Sequence, residues 1–141
     1  MPAQPIWEHF EPDADVGIRG LGNTKNEAFA QAAVAMTAVV TTPSSVQPVQ
    51  SVHVECIAPD DELLLFEWLN SLVFEMATRK MLFARFEVTD TDEGLVGTAW
   101  GEPIDIDRHQ PAAEVKGATW TELSVSHDDD GWWTAQCVVD V

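Results

Sequence analysis

The chain has 141 residues, of which 45% are apolar and 22% are charged, as is typical of a globular domain rather than a disordered one. Seven basic residues stand against 24 acidic ones, which gives a formal net charge of −17. So negative a chain repels phosphates and anionic lipids, which excludes broad-surface binding to nucleic acid or membrane and favours divalent cations or a basic protein partner. Solubility alone is an equally good explanation for the bulk of this charge.

The first predicted elements are a strand and a helix. The strand is the apolar segment "VGIRGLG", which follows Asp15. Thr24, with Glu27 three residues later, forms a capping box, and Asn23 is an equally good cap. Apolar residues then recur at helical spacing. This pattern predicts a helix that ends at about Val39.

A second strand and helix follow. "VHVECIA" alternates between polar and apolar residues, as in a half-buried strand. In "APDDE" an aspartate is a suitable helix cap, and the acidic residues complement the helix dipole. An apolar stripe then runs along the predicted helix to Arg79 and Lys80, which close it.

The rest of the chain predicts four strands. They are carried by "MLFARFEVTD", "GLVGTAWGE", "EVKGATWTELSVSH" and "GWWTAQCVVDV". The last two flank "HDDDG", a turn sequence typical of a hairpin. The order predicts a single α+β domain over residues 1–141, with two layers: a mostly antiparallel sheet and two main helices packed on one face.

The N-terminus and the cysteines indicate a soluble cytoplasmic protein. "MPAQPIWEHF" has no basic region followed by an apolar one, and the most apolar helix is too short to span a bilayer. Cys56 and Cys137 both fall in alternating segments and are predicted to be small buried apolar residues, although the sequence leaves a disulfide between neighbouring strands open.

Two aspartates are candidates for a metal site. Asp15 precedes the first strand and Asp140 ends the last one, next to Val141. If these strands lie side by side, the carboxylates meet and their repulsion must be relieved by protonation, a basic group or a hard cation. Alternatively, Asp13 or Asp15 caps a turn and Asp140 is simply solvated.

Three further residues, Lys116, Asp13 and Glu102, are candidates for a functional, partner-facing role. Lys116, one of only seven basic residues, is either the countercharge of Glu102, Glu114 or the carboxylates, a phosphate ligand, or an exposed strand lysine. Glu102 belongs to "GEPIDIDRH", which is either a loop that orders around a ligand or one with internal salt bridges. No residue has the spacing of a catalytic nucleophile or general base, so no catalytic residue is nominated.

Three motifs, in order, give the chain a family resemblance. They are A-D-V-G near the start, L-L-x-x-W-L-N in the second helix and V-K-x-A-T in the late strand, and the chain closes with "CVVDV". Over nearly its whole length the sequence resembles archease, a family of small α+β proteins. Archeases assist the GTP-dependent RNA-splicing ligase of the RtcB class by promoting guanylylation of the ligase and multiple turnover, and they are not ligases themselves.

The resemblance implies particular site residues. It implies a divalent metal ion, calcium, magnesium or manganese, held by Asp15, Asp140 and an oxygen of Val141, and a functional role for Lys116. Asp13 and Pro12 stand where the family more often has threonine and histidine, so no role of those residues carries over. Trp120-Thr121 likewise replaces a frequent Y-H.

Two other functions stay open at the level of sequence. One is a stand-alone metal-dependent hydrolase of a small phosphate-containing molecule, which would also use an aspartate cluster. The other is a chaperone-like interaction module, which would bind its partner without the metal or Lys116.

Overall fold

The computed structural model describes residues 4–10 and 16–141. The strands are β1 (Ile6–Phe10), β2 (Val16–Gly22), β3 (Gln50–Ile57), β4 (Met81–Asp90), β5 (Gly94–Pro103), β6 (Gly117–Ala118), β7 (Ser124–His127) and β8 (Trp133–Asp140). The helices are α1 (Lys25–Val40), α2 (Asp61–Arg79) and the single turn α3 (Ile106–His109), with a 3₁₀ turn at Pro43–Ser45.

The described strands form two antiparallel sheets. The first has the order β1-β2-β8-β6, and β7 pairs with the same edge of β8 as β6 does, further towards the start of β8. The second has the order β3-β5-β4. The predicted α+β class with antiparallel strands is therefore confirmed, and the strands are divided between two sheets. The predicted hairpin around "HDDDG" is confirmed as β7 and β8.

Both main helices begin at the predicted caps. The Thr24 side chain accepts a hydrogen bond from the backbone N–H of Glu27, and Asp60 accepts one from Leu63. These bonds satisfy backbone donors that have no partner inside the helix. Lys80 caps the end of α2, and its left-handed backbone (φ 54°) turns the chain directly into β4.

One hydrophobic core joins the two sheets through the helices. Helix α1 contacts β1, β2 and β8 of the first sheet and β4 of the second, and α2 likewise contacts strands of both. Small residues let α1 approach closely: a Cβ at Gly20 of β2 would overlap the backbone of Ala28 and Ala32. Trp68 of α2 is fully buried and donates its indole N–H to the carbonyl of Phe29 at 3.0 Å.

The cysteines are buried, as predicted, and both are free thiols. Desolvation raises the pKa of Cys137 to about 12, so this thiol stays protonated at neutral pH. Among the described residues, no helix is long and apolar enough to cross a membrane.

Candidate functional site

The end of β8 brings two of the predicted site residues together. Gly117 of β6 pairs with Asp140, and the backbone N–H of Lys116 donates to the main-chain oxygen of Asp140 at 2.7 Å. The side chains of Lys116, Asp140 and Val141 are all exposed. Within the described parts of the chain, neither Lys116 nor Asp140 forms a salt bridge. A cationic and an anionic side chain thus both remain available at one strand end.

The start of β2 lies against the same end of β8. Val16 pairs with Val139, so the residue that follows Asp15 in the sequence is paired with the residue that precedes Asp140. Asp13 and Asp15 themselves lie outside the described residues. The side-by-side arrangement of the two strands, on which the predicted carboxylate cluster depends, is present.

Helix α2 holds β6 in position through Asn70. The side-chain oxygen of Asn70 accepts a hydrogen bond from the backbone N–H of Ala118 at 2.9 Å. On the other side, the Thr119 backbone N–H and hydroxyl both donate to the carbonyl of Val138, at 3.0 and 2.8 Å. The asparagine of L-L-x-x-W-L-N and the threonine of V-K-x-A-T therefore meet through this strand, so the motifs converge at one place.

Only weak signals in the sequence point to these two positioning residues. Asn70 is a polar residue that directly follows Leu69 in a largely apolar helix, and Thr119 is one of several threonines in its segment. Neither pattern identifies the backbone group that the side chain contacts, because that group belongs to an element distant in sequence.

Glu102 is not part of this surface. Its carboxylate accepts two hydrogen bonds from the Arg108 guanidinium, at 2.6 and 2.8 Å, and one from the Gln47 backbone N–H at 2.7 Å. Its side chain is only 8% exposed. The countercharge of Glu102 is Arg108 and not Lys116. A carboxylate so enclosed does not face a partner. Of the two readings of "GEPIDIDRH", internal salt bridges describe the structure.

The Glu102 carboxylate is kept ionised by these contacts. The Arg108 hydrogen bonds and then the Gln47 N–H lower its pKa from 4.5 to about 2, against the opposing effect of desolvation. His109, whose side chain is fully buried, is 3.0 Å from the same carboxylate through Nε2. Because its Nδ1 accepts from the Asp105 backbone N–H, Nε2 carries the hydrogen and donates it to Glu102.

The donors at the end of β8 suit a hard cation. Asp140 and Val141 offer carboxylate and main-chain oxygens, the ligands that calcium, magnesium and manganese prefer. Among residues 4–10 and 16–141, no cluster of three or more histidine, cysteine or acidic side chains is arranged to hold a metal. A complete ligand set at this end of the sheet would need a further donor from beyond those residues.

The fold and this strand end define a small acidic α+β protein whose sequence motifs converge beside its last strand. A model of the archease protein family (MTH1598/TM1083) matches residues 7–141. The archease proteins of Pyrococcus furiosus and Pyrococcus abyssi are 34% and 36% identical over 139 residues, covering 96% of this chain and 98% of each relative.

A solved structure agrees with these sequence relatives. The solution structure of protein 1598 of Methanobacterium thermoautotrophicum is similar with a TM-score of 0.82 at 34% identity, covering 96% of this chain and 98% of that one. The chain belongs to the archease family, which confirms the resemblance carried by the motifs.

Proposed function

We propose that this chain is an accessory protein of a GTP-dependent RNA-splicing ligase of the RtcB class. It promotes guanylylation of the ligase and multiple turnover in tRNA splicing and RNA repair, and it carries no ligase chemistry itself. The observation that carries the proposal is the junction of β6 and β8, where the backbone N–H of Lys116 bonds to the carbonyl of Asp140 and both residues stay exposed. Membership of the archease family supports it.

The charge of the molecule supports a protein partner with a basic surface. At a net charge of −17, free RNA is repelled, whereas the nucleotide- and RNA-binding surface of a ligase must be positive to hold phosphates. Complementary charge accelerates the encounter of two proteins and orients it. The exposed β6–β8 junction would then reach the entrance of the ligase active site.

A divalent cation fits the proposed role of the strand end. Asp140 and Val141, with Asp15 as the proposed third donor, would hold calcium, magnesium or manganese. When bound, such an ion supplies positive charge that neutralises phosphate oxygens during nucleotidyl transfer. Lys116, beside Asp140 through its backbone, adds a mobile ammonium that can bind a phosphate as a point charge.

The direct test is a guanylylation assay of the cognate ligase with GTP and manganese, with and without this protein. We expect faster formation of the ligase–GMP adduct and more than one ligation per ligase molecule. An equal rate and a single turnover in both reactions would refute the proposed function.

Asp140→Ala tests the strand end within the same assay. Because Asp140 is exposed and its backbone bonds do not depend on its side chain, the variant should fold normally. Its stimulation of guanylylation should be at least about tenfold lower than that of the wild type. Asp129→Ala, which removes the same charge from an exposed turn, is the matched control and should stimulate like the wild type. Equal stimulation by both variants would remove Asp140 from the mechanism.

The two other functions predict different results. A stand-alone hydrolase would release phosphate from nucleotides in the presence of divalent metal and the absence of ligase. If the protein is a chaperone-like module, its Asp140→Ala and Lys116→Ala variants would bind the ligase and preserve its activity as well as the wild type does. Under the proposed function, the protein alone leaves nucleotides intact, and both substitutions reduce guanylylation.

A further inference from the structure

Trp120 is a large apolar side chain that is fixed in place yet exposed. Its ring stacks on that of Phe66 in α2, with centroids 4.3 Å apart and an angle of 12° between the planes. A parallel stack of this kind covers one face of the indole. Because 61% of Trp120 is exposed, the opposite face is open to solvent. The chain thus presents an aromatic surface that nothing in the described structure covers.

The backbone around Trp120 is held on both sides. Thr119 donates twice to Val138, and Thr121 accepts from the Val138 N–H at 3.0 Å. The Trp120 carbonyl itself accepts from Leu123 at 3.3 Å. A partner that binds the ring therefore meets a side chain whose position is already fixed, and little conformational entropy is lost on binding.

Acidic residues lie close in sequence to both stacked rings. Glu62 precedes Phe66 by one helical turn on the same face of α2, and its carboxylate accepts from the Val125 backbone N–H. Glu122 follows Trp120 by two residues and is exposed. Together with the net charge of −17, these carboxylates favour a cation as the ligand of the ring over a nucleobase, whose phosphates they repel.

We infer that Trp120 is the aromatic anchor of the docking surface, and that its open face receives an arginine side chain from a basic protein surface. This rests on the proposed function, in which that surface belongs to the ligase. In cation–π pairs of proteins the cation is more often arginine and the best ring is that of tryptophan, and both residues are enriched among those that dominate interface energies. Trp120 follows Lys116 by four residues, so the anchor adjoins the β6–β8 junction.

The test is the affinity for the immobilised ligase of the wild type and three substitutions of Trp120. Trp120→Ala and Trp120→Leu should weaken binding at least about tenfold, because neither offers a π face. Trp120→Phe should stay within about threefold of the wild type, because it keeps the stack on Phe66 and the cation-binding face. Trp7→Ala is the matched control: this tryptophan is also exposed, on β1 at the opposite edge of the sheet, and its loss should leave binding unchanged.

The outcomes separate the inference from the proposed function. Unchanged binding by Trp120→Ala, with wild-type stimulation intact, would overturn the anchor alone. Equal binding by the leucine and phenylalanine variants would overturn the cation as its ligand. Binding of single-stranded RNA without ligase, lost in Trp120→Ala, would assign the ring to a nucleobase and overturn the inference. No binding of wild-type protein to the ligase would refute the proposed function and, with it, the partner assigned to Trp120.

Discussion

Glu102 shows how one residue combines charge and burial in this protein. Its carboxylate is almost fully removed from solvent, a position that is costly for a charge unless its oxygens are paired and hydrogen bonded. Arg108, Gln47 and His109 together supply these bonds. The group ties the end of β5 to the turn α3 and to the chain before β3.

The lowered pKa of Glu102 makes stability depend on pH. Because the pKa falls from 4.5 to about 2 on folding, the unfolded chain takes up the proton first as the solution is acidified. The stabilisation is complete above pH about 4.5 and is lost as the pH falls towards 2. We expect the wild type to have a higher free energy of unfolding than Glu102→Gln at pH 7, with the difference shrinking across this window in urea titrations.

Arg108→Gln is the companion variant. It removes the largest cause of the pKa shift while leaving the carboxylate buried, so it should destabilise the protein at neutral pH and flatten the pH dependence in the same window. A difference between wild type and Glu102→Gln that stays constant down to pH 2 would show that Glu102 does not carry this dependence.

At the scale of elements, β6 is the shortest strand and depends on its neighbours. Two residues give it little pairing of its own, so the Asn70 side chain and the Thr119 bonds to β8 define its position. The same strand follows Lys116 and precedes Trp120. A loosened β6 therefore displaces both residues without removing either.

Asn70→Ala tests this anchoring. Losing one acceptor for a partly buried N–H should cost about 1 kcal/mol of stability, and the Ala118 amide should exchange with deuterium faster. Stimulation of guanylylation should fall although Lys116 and Asp140 are intact. Asn70→Asp, which keeps an acceptor oxygen, should retain amide protection, and unchanged protection in Asn70→Ala would contradict the anchoring role.

Local sequence signals predicted most elements, but they missed β1, merged β6 and β7 into one strand, and did not predict the assembly. Helices α1 and α2 begin at Thr24 and Asp60 because capping is decided within three residues, and the β7–β8 hairpin follows from its turn. The division into two sheets depends on which strands pair, and hydrophobic alternation is the same for every candidate partner. The contacts of Glu102 and Asn70 were missed for the same reason.

At the scale of the whole molecule, the proposed association with a basic partner depends on net charge. A charge of −17 attracts a basic partner over a long range. Mobile ions screen this attraction beyond about 10 Å at 0.1 M salt. Charges at the edge of an interface act chiefly on the association rate, whereas desolvated contacts, such as those proposed for Trp120, act on the dissociation rate. Salt and the Trp120 substitutions should therefore affect different rate constants.

Binding kinetics at several salt concentrations test this division. Raising ionic strength from about 0.05 to about 0.3 M should lower the association rate constant for the ligase at least about tenfold. The dissociation rate constant should change little with salt and rise in Trp120→Ala. An association rate constant that is independent of salt would exclude electrostatic steering by the acidic surface.

The central place of β8 also affects how the protein is made. Arg19 of β2 and Gln136 of β8 are paired although they lie 117 positions apart, and β8 supplies a pairing edge to β6 and β7 as well. During synthesis on the ribosome, the edge of β2 that pairs with β8 therefore stays unpaired until nearly all later residues have been added. Such open edges invite misassociation of nascent chains, so translation that stops before residue 133 should yield products prone to aggregate.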